Sequence, residues 1–366
     1  MKRTHITLVG GQPIPVYLGI KHYEPEYIFF ICSEQSIQEA ERIRDEIEIE
    51  SELIIIDPVD LQNISSAVKQ LSEKLKNEQI SINISSGTKP WSYYFISKFS
   101  NHKNCEIVYV DQNNLLRNFN DKSQQIVDID MNTRFKLHNN PLKNYQLLSE
   151  YTVEDFKAIE RIRQLRKFNF SDFNYLTAQF SKHQQRSFIE SKNGSTIKWN
   201  KTERSITMQL YNNHGILESD IFNSPNARNL FINTGWFELE IAHLISKWGK
   251  AKEVRLNCIF PTTRNSPKNE IDIIVDTGIK LLFVECKTQI NNETDIDKFA
   301  SAVKIYGGTG SKALFITDAP MRDKALEKCH DNQVIPFSLQ PLGGANNAKT
   351  KLFQLLNKEL YNINTK

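Results

Sequence analysis

The sequence has no long apolar run. The longest, Tyr27 to Cys32, is six residues, far short of the roughly 20 needed to span a bilayer as a helix, so no membrane partner is expected. Cysteine is scarce: Cys32, Cys105, Cys258, Cys286 and Cys329 are five, odd in number and scattered. They give neither a disulfide framework nor a zinc spacing, which fits a reducing cytoplasm. Charge of one sign is also lacking. The 46 Lys and Arg against 43 Asp and Glu leave a net charge of +3, so any grip on nucleic acid must be local rather than global. Repeats and low-complexity tracts are absent, and Lys2 and Arg3 lead into a segment broken by glycine and proline, which does not read as a secretory signal. The histidines His183, His214, His243 and His330 stand isolated and mark no site.

What is present is 366 residues, 39% of them hydrophobic, enough for two domains and a connector. In the first part, short apolar runs at 6–9, 27–32, 53–56, 80–84 and 106–110 read as strands. Between them Ile37, Ala40, Ile43 and Ile47, and then Leu61, Ile64, Val68, Leu71 and Leu75, keep helical spacing. That alternation predicts a mostly parallel, doubly wound α/β sheet, which binds ligands beyond the carboxyl ends of its strands. Two strand ends carry unusual loops, Gly10-Gly11-Gln12-Pro13 and Ser85-Ser86-Gly87-Thr88-Lys89-Pro90. In the second, Gly87 lets the backbone approach a ligand, Thr88 and Lys89 offer a hydroxyl and a cation, and Pro90 suits the first helical turn, whose free N–H groups attract phosphate. An ordinary strand-to-helix turn would look the same.

A different pattern stands near the other end. Ile271 to Val275 and Leu281 to Val284 are apolar runs separated by Asp276-Thr277-Gly278, a hairpin signal. A two-residue Thr277-Gly278 loop would pair Asp276 with Ile279 and set Asp272 opposite Phe283, diagonal to Glu285. Strand alternation puts Lys287 on the same face. The opposite face is apolar through Ile271, Ile273, Val275, Leu282, Val284 and Cys286, so both strands are expected to be central. Ionised carboxylates in such a place need a cation, and magnesium or manganese suits an oxygen set; Lys287 would orient or help deprotonate the attacking water. A structural Glu285 to Lys287 ion pair is the simpler alternative. Upstream, Thr234 to Gly249 reads as a helix with Phe237, Ile241, Leu244, Ile245 and Trp248 along one stripe, flanked by Glu238 and Glu240, between which periodicity does not choose. A second helix over 295–306 and a strand over 312–317 follow.

The order helix, strand, strand, helix, strand with these carboxylates is similar to the PD-(D/E)XK restriction-endonuclease-like fold. Gly235-Trp236-Phe237-Glu238, Asn269-Glu270-Ile271-Asp272 and Val284-Glu285-Cys286-Lys287 together resemble the nuclease half of the ancillary CARF-domain effectors of type III CRISPR defence. The resemblance implies that Glu238, rather than Glu240, joins Asp272, Glu285 and Lys287 as the catalytic set, with metal on Asp272, Glu285, Glu238 and the backbone carbonyl of Cys286. At the other end, Asn83 to Lys89 resembles the phosphate-contacting motif of CARF domains, with Ser85-Ser86 in place of the family's usual Thr-Gly or Gly, and Leu8 to Pro15 resembles its first loop. It implies a Rossmann-like sensor for a cyclic oligoadenylate, most often cyclic tetra-adenylate, held across a homodimer by Gly10, Gly11, Gln12, Ser33, Ser85, Ser86, Gly87, Thr88 and Lys89. The substrates implied are single-stranded DNA and RNA, with nicking of duplex DNA.

The expected organisation is a sensor over 1–138, a connector of helices and a short hairpin over 139–226, and a nuclease domain over 227–366. The connector holds helical patterns at 153–165 and 170–180 and a hairpin at 196–210. Its Lys157, Arg161, Arg163, Arg166 and Lys167, then Lys182, His183 and Arg186, interleave with Phe168, Phe170, Phe173 and Tyr175, either a surface for unpaired bases or a solvated helix face. Two rival functions use the same residues: an ungated repair or restriction endonuclease, and a signal-binding transcription regulator without catalysis. A sensor that itself cuts its cyclic ligand is a further possibility.

Overall fold

The computed structural model describes residues 1–261, 269–290, 292–308, 310–340 and 345–363, with residues 345 and 346 described by their backbone. The chain divides into two compact units, one of residues 1–142 with 278–280, the other of 143–277 with 281–366.

In the first unit, strands and helices alternate as the apolar spacing predicts: β1 (Arg3–Leu8), α1 (Pro13–Tyr23), β2 (Tyr27–Cys32), α2 (Ile37–Asp45), β3 (Ser51–Ile55), α3 (Leu61–Lys74), β4 (Gln79–Asn83), α4 (Lys89–Phe99) and β5 (Cys105–Val110). β6 (Leu115–Asn118), β7 (Gln124–Ile126) and α5 (Met131–Leu137) complete it. The sheet runs β3-β2-β1-β4-β5-β6-β7, its first five strands parallel and the last two antiparallel. Strand order reverses between β1 and β4, so the loops after these two strands lie side by side at the switch point where such sheets take ligands. Separate cores fill its two faces, one around Phe29, Trp91 and Phe95, the other around Val16, Phe30 and Leu137. α1, begun by Pro13, was not apparent in the sequence because its apolar residues do not keep one face.

The second unit opens with β8 (Asn144–Leu147), α6 (Val153–Phe168) and α7 (Phe170–Lys182). The hairpin expected at 196–210 is the middle of a four-stranded antiparallel sheet of β9 (Phe188–Glu190), β10 (Thr196–Asn200), β11 (Ser205–Tyr211) and β12 (Leu217–Phe222). There follow α8 (Ala227–Phe231), α9 (Gly235–Ser246), β13 (Glu253–Ile259), β14 (Glu270–Asp276), β15 (Leu281–Lys287), α10 (Thr294–Tyr306), β16 (Lys312–Thr317), α11 (Asp323–Asp331), β17 (Val334–Ser338) and α12 (Ala345–Tyr361). A mixed sheet in the order β17-β16-β15-β14-β13-β8 makes β14 and β15 central, as their apolar faces require. One core joins α6, α7, α9 and α12 to the face bearing Ile273, Val275, Leu282, Val284 and Cys286. β13 and β8 add two strands that the expected helix, strand, strand order omits.

The hairpin register differs from the expected one. Asp276 pairs with Leu281 and Ile273 with Val284, leaving 277–280 as the loop. A two-residue loop needs positive φ at its first residue in either favoured turn type, and Thr277 is not in that region whereas Gly278 is, at φ +83°. The slip is two residues, so the faces stay as expected, and continuing the register sets Asp272 directly across from Glu285 rather than diagonal to it.

In the first unit Asn83, buried at the end of β4, ties α1 to the loop beyond it. Its Nδ2 donates to the Pro15 carbonyl at 2.9 Å and its Oδ1 accepts from the Ser85 N–H at 3.0 Å. A Cβ on Gly19 would collide with that Asn83 amide. Alanine normally stabilises a helix interior by about 1 kcal/mol over glycine; here overpacking, worth about 1–3 kcal/mol, opposes it. Gly19→Ala is therefore expected to lower the midpoint of thermal unfolding, and an unchanged or higher midpoint would contradict the role given to Asn83.

Candidate active site and ligand cleft

The candidate active site is built on three elements of the second unit. β14 presents Asp272, buried at 7% relative exposure, and β15 presents Glu285, at 2%. Lys287 Nζ lies 2.7 Å from Glu285 Oε1 and 4.0 Å from Asp272 Oδ2. The Cys286 N–H donates to Asp272 Oδ2 at 2.8 Å, fixing the carboxylate across the strand pair. Burial alone would lower the Lys287 ammonium, but the Asp272 and Glu285 carboxylates hold it above its ordinary range. Without a metal this lysine is thus the counter-cation of the pair rather than a base.

The third contributor is α9. Burial, then the Asp272 carboxylate, push Glu238 well above the ordinary carboxylate range. Glu240, two residues on, points elsewhere: it accepts from Arg163 Nε at 2.7 Å. This separates two glutamates that helical periodicity leaves equivalent. The entry to α9 is also unlike the expected one. Thr234 does not cap with its side chain; both Asn233 and Thr234 have positive φ, 48° and 65°. Such backbone costs about 1–2 kcal/mol per non-glycine residue, less for asparagine. Gly235 follows because a Cβ there would strike the Asn229 carbonyl, and Trp236 is buried under the Arg163 and Arg166 guanidinium groups, 5.2 and 5.7 Å from the ring centroid.

Glu270, the first residue of β14, stands two residues from Asp272 and so on its face. Its charge and that of Glu285 add to the upward push on Glu238. The alternation that placed Asp272 could have found it; Tyr151, whose hydroxyl is raised by burial and then by Glu238, left no such trace in the sequence.

The donors Glu238, Asp272, Glu285 and the Cys286 carbonyl are all oxygen, the chemistry of magnesium or manganese. Among the described residues no three acidic, histidine or cysteine side chains enclose an ion. The set fits an ion held by one or two carboxylates and several waters, magnesium's usual mode. The five cysteines are buried free thiols, none on a zinc pattern.

The arginines of α6 are paired with carboxylates, while Lys157 and Lys167 are exposed. Arg161 pairs with Glu218 and Asp220, Arg163 with Glu240 and Asp318, and Arg166 with Asp318. Phe173 is core. These arginines clamp α6 to α9 and to the end of β16, where the Asp318 N–H donates to the Lys287 carbonyl. Of the interleaved aromatics, Phe173 is packed in the core, while Phe170 and Tyr175 remain exposed.

In the first unit the two predicted loops meet. The Gly10 N–H donates to Ser86 Oγ at 3.0 Å, and a Cβ on Gly10 would fall 2.7 Å from the Gly87 nitrogen. Gly87 has φ +83°, and a Cβ there would sit 2.9 Å from Leu8 and Trp91. Thr88 Oγ1 donates to the Pro58 carbonyl at 2.9 Å and accepts from the Trp91 N–H, capping α4. Ser85 Oγ bonds Asn83 and accepts from the Val110 N–H at 2.6 Å. Ser33 lies nearby through Ser36, whose hydroxyl is 3.3 Å from its own and donates to the Val9 carbonyl at 2.8 Å. Gly11, Gln12, Gly87 and Lys89 are exposed on this rim.

The raised Glu238 has a signed consequence. Below the unfolded carboxyl range both states are protonated and it contributes nothing; as pH rises toward its folded value the native state holds a proton the unfolded chain has lost, so stability falls. In EDTA, Glu238→Gln is expected to raise stability above about pH 6 by about 0.5–2 kcal/mol, with the two proteins converging near pH 4. A mutant less stable at neutral pH would show the carboxylate to be satisfied.

Residues 4–139 match the family model described as the Card1 CARF domain. No curated protein matches the chain. Among solved structures, Can2 from Sulfobacillus thermosulfidooxidans in complex with cyclic tetra-adenylate aligns over 98% of this chain and 99% of its own, at TM-score 0.69 and 17% identity. A Vibrio cholerae protein aligns over 98% of both chains, at TM-score 0.73 and 18% identity. A type III CRISPR defence DNA nuclease activated by cyclic oligoadenylate aligns over 98% of this chain but 52% of its own, at TM-score 0.60 and 15% identity. Residues 4–139 accordingly resemble the Card1 CARF domain, on a chain that shares its fold with these solved structures.

Proposed function

We propose that this chain is a metal-dependent PD-(D/E)XK-like nuclease, gated by a cyclic oligoadenylate and cleaving single-stranded DNA and RNA in type III CRISPR antiviral defence. The observation that carries the catalytic half is the Lys287 ammonium held between Glu285 and Asp272, with Glu238 driven up by burial and then by Asp272. The sensing half rests on the CARF match and on the two loops touching at the switch point.

A bound magnesium or manganese would polarise a phosphoryl oxygen and lower the pKa of its water. Asp272, Glu285 and the Cys286 carbonyl would hold it, and Glu238 would complete its water shell. Lys287, once the carboxylates face the metal, orients the nucleophile and offsets charge on the phosphate. Glu238, once a metal had displaced its proton, would be a candidate to accept the one the water loses. In the first unit, exposed Gly87, Lys89 and the N-terminus of α4 supply N–H donors and a cation for the ring phosphates, with Gly10, Gly11, Gln12, Ser33, Ser85, Ser86 and Thr88 shaping the cleft. A two-fold ring ligand favours a homodimer, and activation follows if the ligand binds one arrangement of the pair more tightly. The domain limits 1–138, 139–226 and 227–366 and a cytoplasmic location belong to the same reading. Among the described residues no helix is long and apolar enough to cross a membrane. Against a DNA-binding regulator stands the full set of Glu238, Asp272, Glu285 and Lys287, and the α6 arginines are engaged by carboxylates.

The test is degradation of labelled single-stranded RNA and DNA with manganese or magnesium, with cyclic tri-, tetra- or hexa-adenylate or none. Cleavage dependent on one ring, most simply cyclic tetra-adenylate, and lowered at least about a thousandfold by Glu285→Ala, is the expected result. Cleavage without ligand would replace this reading with an ungated endonuclease.

A further inference from the structure

Beside the candidate active site lies a second, unassigned cavity of about 260 Å³. Five amides line it, Asn144, Gln146, Asn229, Asn233 and Asn257, with Tyr151, Glu238 and Glu270. We propose that it is a nucleobase pocket, taking a base with an exocyclic amino group from the nucleotide next to the scissile phosphate. This rests on the nuclease reading for its place in the reaction, but not for its chemistry.

The lining decides the ligand class. The polar groups of the described lining are amides, a phenol and two carboxyl groups. Amides and carboxylates are the side chains that read base edges: Asn and Gln offer a donor beside an acceptor, and Glu accepts from an amino group. The volume falls just under the range of drug-sized pockets, about 300–1,000 Å³, and so suits one heterocycle rather than a whole nucleotide.

The wiring of the wall points the same way. Gln146 Oε1 accepts from Tyr151 Oη at 2.8 Å and from Asn257 Nδ2 at 2.6 Å. That leaves the Gln146 NH₂ as a donor and the Asn257 Oδ1 as an acceptor side by side. Asn257 reaches this position from a bulge: the β13 to β8 register shifts between Leu256 and Ile259, and Asn257 has φ +49°. Bulges beside active sites re-aim side chains. Asn233, also at positive φ, lines the cavity just before α9. Two asparagines in left-handed backbone on one small cavity are an arrangement that core packing does not require.

Position ties the cavity to cleavage. Glu238 both lines it and feels the charges of Asp272 and Lys287. A base seated against Glu270 and the amides would bring its own phosphodiester to the carboxylates. Adenine, cytosine and guanine carry amino groups to meet Glu270 or Glu238; uracil and thymine do not.

The test uses full-length Glu285→Ala protein and fluorescently labelled hexanucleotides of adenine, cytosine or uracil, with anisotropy as the readout. Adenine and cytosine strands are expected to bind at least about fivefold more tightly than uracil, as one lost hydrogen bond to a carboxylate implies. Glu270→Gln, which gives up that charged acceptor, should abolish the preference. Asn144→Ala, exposed at the mouth, weakens it without risk to folding. Equal binding of all three strands, no binding, or a preference that survives both variants overturns the pocket. In parallel, cleavage positions of the unmutated protein are mapped on a mixed-sequence strand. A base bias in binding with no cleavage under any condition would sink the nuclease reading and leave the pocket; cleavage without any base bias would do the reverse.

Discussion

The constraint on which the second unit depends is electrostatic. Asp272 and Glu285 face each other on the two central strands of a sheet whose other face is apolar core. Two carboxylates so buried are tolerable only with a cation between them, since an unpaired buried charge costs several kcal/mol. Among the described residues Lys287 supplies such a cation. Burial and then the Asp272 carboxylate push Glu238 above the ordinary carboxylate range, so the cluster carries negative charge that a divalent ion would offset. A site with this excess of carboxylate would be relieved by a divalent cation.

The surroundings hold these groups in place. Gly235 lets α9 start against the Asn229 carbonyl, and the left-handed Asn233 and Thr234 turn the chain into it. Arg163 spans Glu240 on α9 and Asp318 beyond β16, while Asp318 donates from its backbone to Lys287. The arginines of α6 thus act inside the unit as braces between the segments that carry Glu238 and Lys287. In the first unit glycine does similar work, with Gly10 and Gly87 allowing two loops to touch where the strand order reverses.

Much of this was legible in the sequence where one periodicity dominates. The alternation of 27–32, 53–56 and 80–84 with helical spacing gave the parallel sheet, and the two-residue period placed Asp272, Glu285 and Lys287 on one face despite the wrong hairpin loop. The loop itself failed because Thr-Gly order suits neither two-residue turn. β13 and β8 were missed as edge-side strands of mixed pattern, and α1 because its buried residues surround the helix. Glu238 could be separated from Glu240 only by family likeness, since the difference lies in an ion pair with Arg163 from 77 residues away. The α6 charge run misled for the same reason: sequence shows the arginines but not the carboxylates that neutralise them.

The most direct test of the charge-cluster account is manganese binding followed by electron paramagnetic resonance on the full-length protein, beside Asp272→Asn and Lys287→Met. The account predicts saturable binding by the unmutated protein, loss in Asp272→Asn, and tighter binding in Lys287→Met, where the ion takes over the cation's place. Binding that is unaltered in Asp272→Asn, or weaker in Lys287→Met with its fold intact, would contradict it.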